Sequence, residues 1–80
     1  MGIVNLRDAI ILSLLKDGLK SANEIEIKLG VQGTIARQSL SFLKKSGLIT
    51  TRKMNGNDFY DITENGEKAI EQIYKRLRLY

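Results

Sequence analysis

Residues 29–63 read LGVQGTIARQSLSFLKKSGLITTRKMNGNDFYDIT, and the spacing of apolar residues changes inside this stretch at Gly47. Before Gly47, Ala36, Leu40 and Leu43 fall on one line at helical spacing. Gly47 itself is the residue type that ends a helix in the left-handed conformation. After it, Leu48–Met54 and Asp58–Thr63 flank Asn55-Gly56, a pair that tolerates the two positive φ angles of a two-residue hairpin turn. Such a turn fixes the register. Met54 faces Asn57, Lys53 faces Asp58, Arg52 faces Phe59, Thr51 faces Tyr60, and Ile49 faces Ile62. Ile49, Tyr60 and Ile62 then share one face, which predicts the buried one.

On the N-terminal side, Ser21-Ala-Asn-Glu24 is a capping box followed by Ile25, Ile27 and Leu29, so a helix of about two turns leads to Gly30. Val31 and Gln32 leave room only for a tight connection before a third helix from about Gly33 to Ser46. Upstream, Asn5 and Asp8 mark the start of a helix over 6–17 that Gly18 ends. Its stripe is Ile10, Ile11, Leu14 and Leu15, with Leu12 set to the side, and is wider than a single core contact needs. Downstream, Thr63 caps a last helix with Glu64, Asn65 and Glu67 in its first turn and Lys75, Arg76 and Arg78 in its last turns. No internal repeat or low-complexity segment interrupts the order helix, helix, helix, hairpin, helix. The expected class is α+β, mainly α, in a single domain over 1–80.

Composition narrows the chemistry. The 80 residues contain no cysteine and no histidine. Disulfides, thiolate or imidazole metal sites and a Ser-His-Asp triad are therefore excluded, and no cofactor is expected. An enzyme is the least expected class, because the carboxylates are scattered and there is no phosphate-binding glycine loop. The longest apolar run, Ala9 to Leu15, is broken by Ser13 and is too short to span a membrane. A capped helix directly after Met1 leaves no signal peptide, so a cytoplasmic protein is expected. The net charge of +4 is unevenly placed. No Asp or Glu lies between Glu26 and Asp58, while Lys28, Arg37, Lys44, Lys45, Arg52 and Lys53 all fall inside that gap. Local positive charge of this kind is the footprint of a polyanion-binding face.

The second and third helices form a helix-turn-helix over about 21–46, and the basic hairpin over about 48–63 forms a wing. Together they spell a winged helix, with a three-helix core, a two-stranded wing and a C-terminal helix over about 64–80. On the third helix Thr34, Arg37, Ser41 and Lys44 recur at spacings of 3, 4 and 3, away from the apolar line, with Gln38 and Lys45 beside them. Short donors for phosphates and an Arg or amide for a base edge are what a major-groove helix needs. Gly33 would allow close backbone approach, and Arg52 and Lys53 would carry the wing's contacts, although Lys53 also stands opposite Asp58. Tyr60 is expected in the core. Ile70, Ile73, Leu77 and Tyr80 have coiled-coil seam spacing. With Ile10 and Leu14 of the first helix they make a homodimer contact the expected assembly, with Tyr74 and Tyr80 at the interface. A merely solvated helix face, a protein- or RNA-binding module and a non-specific architectural DNA protein stay open on the residues alone. No small-molecule effector site is evident.

The "LGV" turn, the L-x-x-L-x-x-x-G-L-I run from Leu40 to Ile49 and the Y-x-I-T-x-x-G run from Tyr60 to Gly66 resemble the signature of winged helix-turn-helix DNA-binding proteins. The nearest likeness is to small archaeal and archaeal-virus members that dimerise through a C-terminal helix; MarR- and PadR-type regulators are more distant. The resemblance covers about residues 6–77. It implies a transcription regulator acting in the cytoplasm of an archaeal or virus-infected cell. By position, it places Gly33, Thr34, Arg37, Gln38, Ser41 and Lys44 in the major groove of double-stranded DNA and Arg52 and Lys53 on the adjacent backbone or minor groove.

Overall fold

In the computed structural model, which describes residues 5–77, six elements follow one another: α1 (Leu6–Lys16), α2 (Ala22–Leu29), α3 (Gly33–Lys45), β1 (Ile49–Met54), β2 (Asn57–Ile62) and α4 (Glu64–Leu77). Local chemistry sets most of their ends. Asn5 Oδ1 accepts from the Asp8 amide at 2.8 Å at the start of α1. Ser21 and Glu24 close a reciprocal capping box on α2. At the end of α3 the Leu48 amide reaches the Leu43 carbonyl and the Gly47 amide reaches Lys44, with Gly47 at φ 75°. These two bonds make a Schellman motif, which needs a left-handed residue at that point.

The hairpin pairs in the register read from its turn, from Met54 opposite Asn57 to Ile49 opposite Ile62, with Asn55 and Gly56 both at positive φ. Ile49 is buried and Tyr60 and Ile62 pack against the core from the same face. A single bridge extends this sheet. Lys20 and Tyr60 exchange two backbone hydrogen bonds, 2.7 and 3.2 Å, so the link between α1 and α2 lies along the wing's second strand. One residue has no periodicity, and the sequence carries no sign of this pairing.

The core is formed by Ile11, Leu12, Leu15, Ile25, Leu40, Leu43, Ile49 and Ile70, with Ala36 also buried. One position on α1 differs from expectation. Leu12, set aside from the stripe, is fully buried, while Ile10 is 39% exposed. The helix is flanked by several elements, so its buried arc turns further round than the stripe alone implies. Ile70 is also placed differently from its expected seam role. At 1% exposure it sits inside the chain's own core and leaves no surface for a second chain.

Thr63 ties the wing, α3 and α4 together. Its hydroxyl donates to the Gly47 carbonyl at 2.6 Å and accepts from the Gly66 amide at 3.1 Å. Gly66 is buried, and a Cβ there would overlap the Leu48 carbonyl and lie 2.7 Å from Ile62 Cγ1. The last glycine of the Y-x-I-T-x-x-G run is thus required by the close approach of α4 to the chain entering β1. α4 is also fixed to α1, through a 2.7 Å hydrogen bond between the Tyr74 and Ser13 hydroxyls and the Lys16 ammonium 5.4 Å over the Tyr74 ring. Tyr74, expected at an interface, therefore has partners within the chain.

Candidate nucleic-acid interface

The third helix has two faces with different tasks. Ala36, Ser39, Leu40 and Leu43 are buried against the rest of the fold. Opposite them Thr34, Arg37, Gln38, Ser41, Lys44 and Lys45 are all exposed. Of these, Thr34, Arg37, Gln38, Ser41 and Lys45 line one shallow concavity of about 520 Å³, and Lys44 does not line it. Burial on one side fixes the helix rotationally, so the polar set is held outward by packing rather than by its own hydrogen bonds.

The concavity holds one residue that sequence reasoning did not assign to it. Phe42 also lines it and is 48% exposed. The signal was present, because Phe42 stands about 100° round the helix from Leu43 and lies off the line through Ala36, Leu40 and Leu43.

Gly33 stands in the first turn of α3, beside α2. It is half-buried, and a Cβ there would meet Glu26 Oε1 at 2.7 Å. The neighbours of that position are the carboxylate atoms of Glu26, the far end of a flexible α2 side chain that a Cβ would displace. The Glu26 carboxylate stands near the positive end of the α3 dipole, where a negative charge is favourable.

The wing's cations are exposed but not equivalent. Arg52 Nε lies 3.2 Å from Asp61 Oδ2, diagonally across the hairpin, and the Asp61 side chain is the more buried partner. Lys53 and Asp58 face each other at 4.0 Å with both side chains open to solvent. The Arg52–Asp61 pair was not foreseen, because directly opposite partners are read from the register and diagonal ones depend on side-chain reach. Asp61 Oδ1 also accepts from the Ile62 amide at 2.9 Å, which holds the carboxylate in place.

Behind the concavity, α1 meets α3 through Arg7 and Asp8. Arg7 Nε donates to Ser39 Oγ at 2.8 Å. Asp8 is only 3% exposed and its Oδ1 has no hydrogen-bond partner among the described residues. Burial raises its pKa above the ordinary aspartate value, against the opposing effects of the Ser39 hydrogen bond and the Arg7 charge. The residues expected at a two-chain contact are dispersed over α1 and α4. Leu77 is 61% exposed, Ile10 is partly open, and Leu14 and Ile73 are half-buried. Tyr80 lies outside the described residues. No helix among the described residues is long and apolar enough to cross a membrane.

No family model matches the chain. The transcriptional activator HlyU of Vibrio cholerae serotype O1 is 31% identical over 75 residues, covering 94% of this chain and 69% of HlyU. The structure of reduced HlyU superposes with a TM-score of 0.75 at 32% identity, over 91% of this chain and 77% of that one. The transcriptional regulator BldR of Sulfolobus solfataricus reaches a TM-score of 0.86 at 17% identity, covering 94% of this chain. This chain spans 56% of the length of BldR, and that likeness establishes the fold. The helix order, the wing and the similarity to HlyU along nearly the whole chain lead to one conclusion: the protein belongs to the family of winged-helix transcription regulators that includes HlyU.

Proposed function

We propose that the protein is a homodimeric, sequence-specific double-stranded DNA-binding transcription regulator of the cytoplasm. In this reading α3 enters the major groove and the wing lies on the backbone or the adjacent minor groove. One observation carries it: α3 is locked by its buried line while an acid-free set of donors, led by Arg37, Thr34, Gln38 and Ser41, faces outward in one concavity. Phosphates would be met by Ser41, Thr34, Lys44 and Lys45, and a guanine edge by the Arg37 guanidinium, whose fork matches O6 and N7. Ile10, Leu14, Ile73 and Leu77 on α1 and α4 would join two copies. A two-fold pair could then place two α3 helices in successive major grooves about 34 Å apart.

The test is binding of purified protein to labelled duplexes, followed by Arg37→Ala. Arg37→Ala should cost about 1–3 kcal/mol on the preferred duplex and flatten sequence preference. Equal weakening on every duplex would make Arg37 a phosphate contact, and an unchanged affinity would remove α3 from the interface. A wild type that binds all duplexes alike is an architectural protein. One that ignores duplexes at low salt is a protein- or RNA-binding module, since phosphate binding must respond steeply to salt.

A further inference from the structure

Phe42 is an anomaly on an otherwise polar face. Every other large apolar residue of α3 is buried or half-buried, whereas Phe42 is about half exposed. Phe42 borders two hollows: the concavity it shares with Arg37, Gln38 and Ser41, and a second of about 240 Å³ formed with Asn5, Arg7 and Asp8. Gln38 borders both hollows, one helical turn before Phe42, so the two side chains are neighbours on the helix surface.

We propose that Gln38 and Phe42 read an A/T step of the bound duplex, Gln38 on an adenine edge and Phe42 on a thymine methyl. The proposal rests on the reading of α3 as the recognition helix and adds to it the kind of base that this edge of the helix selects. The chemistry is specific. A glutamine amide matches the N6 donor and N7 acceptor of adenine, and thymine alone offers a methyl group in the major groove. An exposed phenyl ring has no hydrogen bond to offer a phosphate, but gains by removing that methyl and itself from water. The polar and apolar neighbours are thus matched to the two partners of one kind of base pair. Arg37, on the opposite edge of the polar face, is matched to guanine.

The experiment enriches preferred duplexes from a randomised library and then replaces each thymine of the enriched duplex by uracil, which lacks only the methyl. For the wild type, one position in each half-site should lose about fourfold in affinity, the value of one buried methyl-sized group. Phe42→Ala should bind more weakly and treat thymine and uracil alike at that position. Gln38→Ala should weaken the preference for the A/T pair there while keeping the sensitivity to uracil. Because Phe42 is about half exposed, its variant should keep the wild-type circular dichroism with only a modest fall in melting temperature. If Phe42→Ala unfolds, the wild-type uracil scan decides the matter. Two results overturn the proposal: an enriched duplex in which no thymine can be told from uracil, or a folded Phe42 variant that still discriminates them. A wild type that enriches no sequence overturns the recognition-helix reading itself, and this inference with it.

Discussion

The Arg52–Asp61 pair yields a prediction of opposite signs from two neighbouring residues. Should Arg52 touch a phosphate, Asp61 is a fixed negative charge directly behind it, 3.2 Å from the guanidinium. A phosphate on the far side of the guanidinium would stand roughly 7 Å from the carboxylate, and at water's dielectric that repulsion is about 0.6 kcal/mol. Asp61→Asn should therefore tighten DNA binding about threefold per protomer, or close to tenfold for a dimer that uses both wings. The asparagine oxygen can still accept from the Ile62 amide, so the strand geometry should hold. Losing an exposed ion pair should cost ~0.2–1 kcal/mol of stability. Arg52→Ala should act in the other direction, weakening every duplex and lowering the slope of log K against log salt by about 0.9 per protomer. In the double variant the gain from Asp61→Asn should largely vanish, because the carboxylate acts on DNA next to the cation it holds. Fluorescence anisotropy of a labelled duplex, titrated across a range of potassium chloride, measures affinity and slope together. An Asp61→Asn protein that binds no tighter, alongside an Arg52→Ala protein with an unchanged slope, would place the wing clear of DNA.

Three further outcomes follow from the packing. Leu77→Glu, at an exposed site that contributes little to the monomer core, should split the proposed dimer and reduce DNA affinity; light scattering should move from twice the 9.0 kDa chain mass to one chain, and a wild type already at one chain refutes the dimer. Gly66→Ala must push α4 away from the Leu48 carbonyl, so it should destabilise the fold by about 1–3 kcal/mol despite alanine's better helix propensity, visible as a lower melting temperature. Asp8 has a folded pKa above its ordinary value, so it binds its proton more tightly folded than unfolded, and its burden on stability is absent below the ordinary value and grows as pH rises through the folded one. Asp8→Asn should thus raise the melting temperature at neutral pH, with the difference shrinking as pH falls towards the ordinary value of 3.8. A stabilisation equal at all pH values would show that the carboxylate's charge is not its cause.

Features that depend on residues within a turn or two of each other were legible in the sequence. The Asn55-Gly56 turn set the hairpin register residue by residue, since two positive φ angles leave one pairing. The Ser21–Glu24 box, Gly30 and Gly47 set helix ends for the same local reason. The line Thr34–Arg37–Ser41–Lys44 was visible because helical spacing and the acid-free gap can be counted directly. Tertiary structure decided what depends on which element lies alongside. Leu12 went inward and Ile10 partly outward because α1 is packed by several neighbours at once. Ile70 joined the chain's own core although its spacing suits a seam equally well. Gly33 fits beneath a glutamate of α2, and Arg52 is held by a diagonal carboxylate; neither relation leaves a mark on sequence periodicity. Phe42 shows the boundary most clearly. Its angle on the helix could be computed from spacing, but its exposure beside the polar concavity was decided only when the other elements had covered the remaining faces of α3.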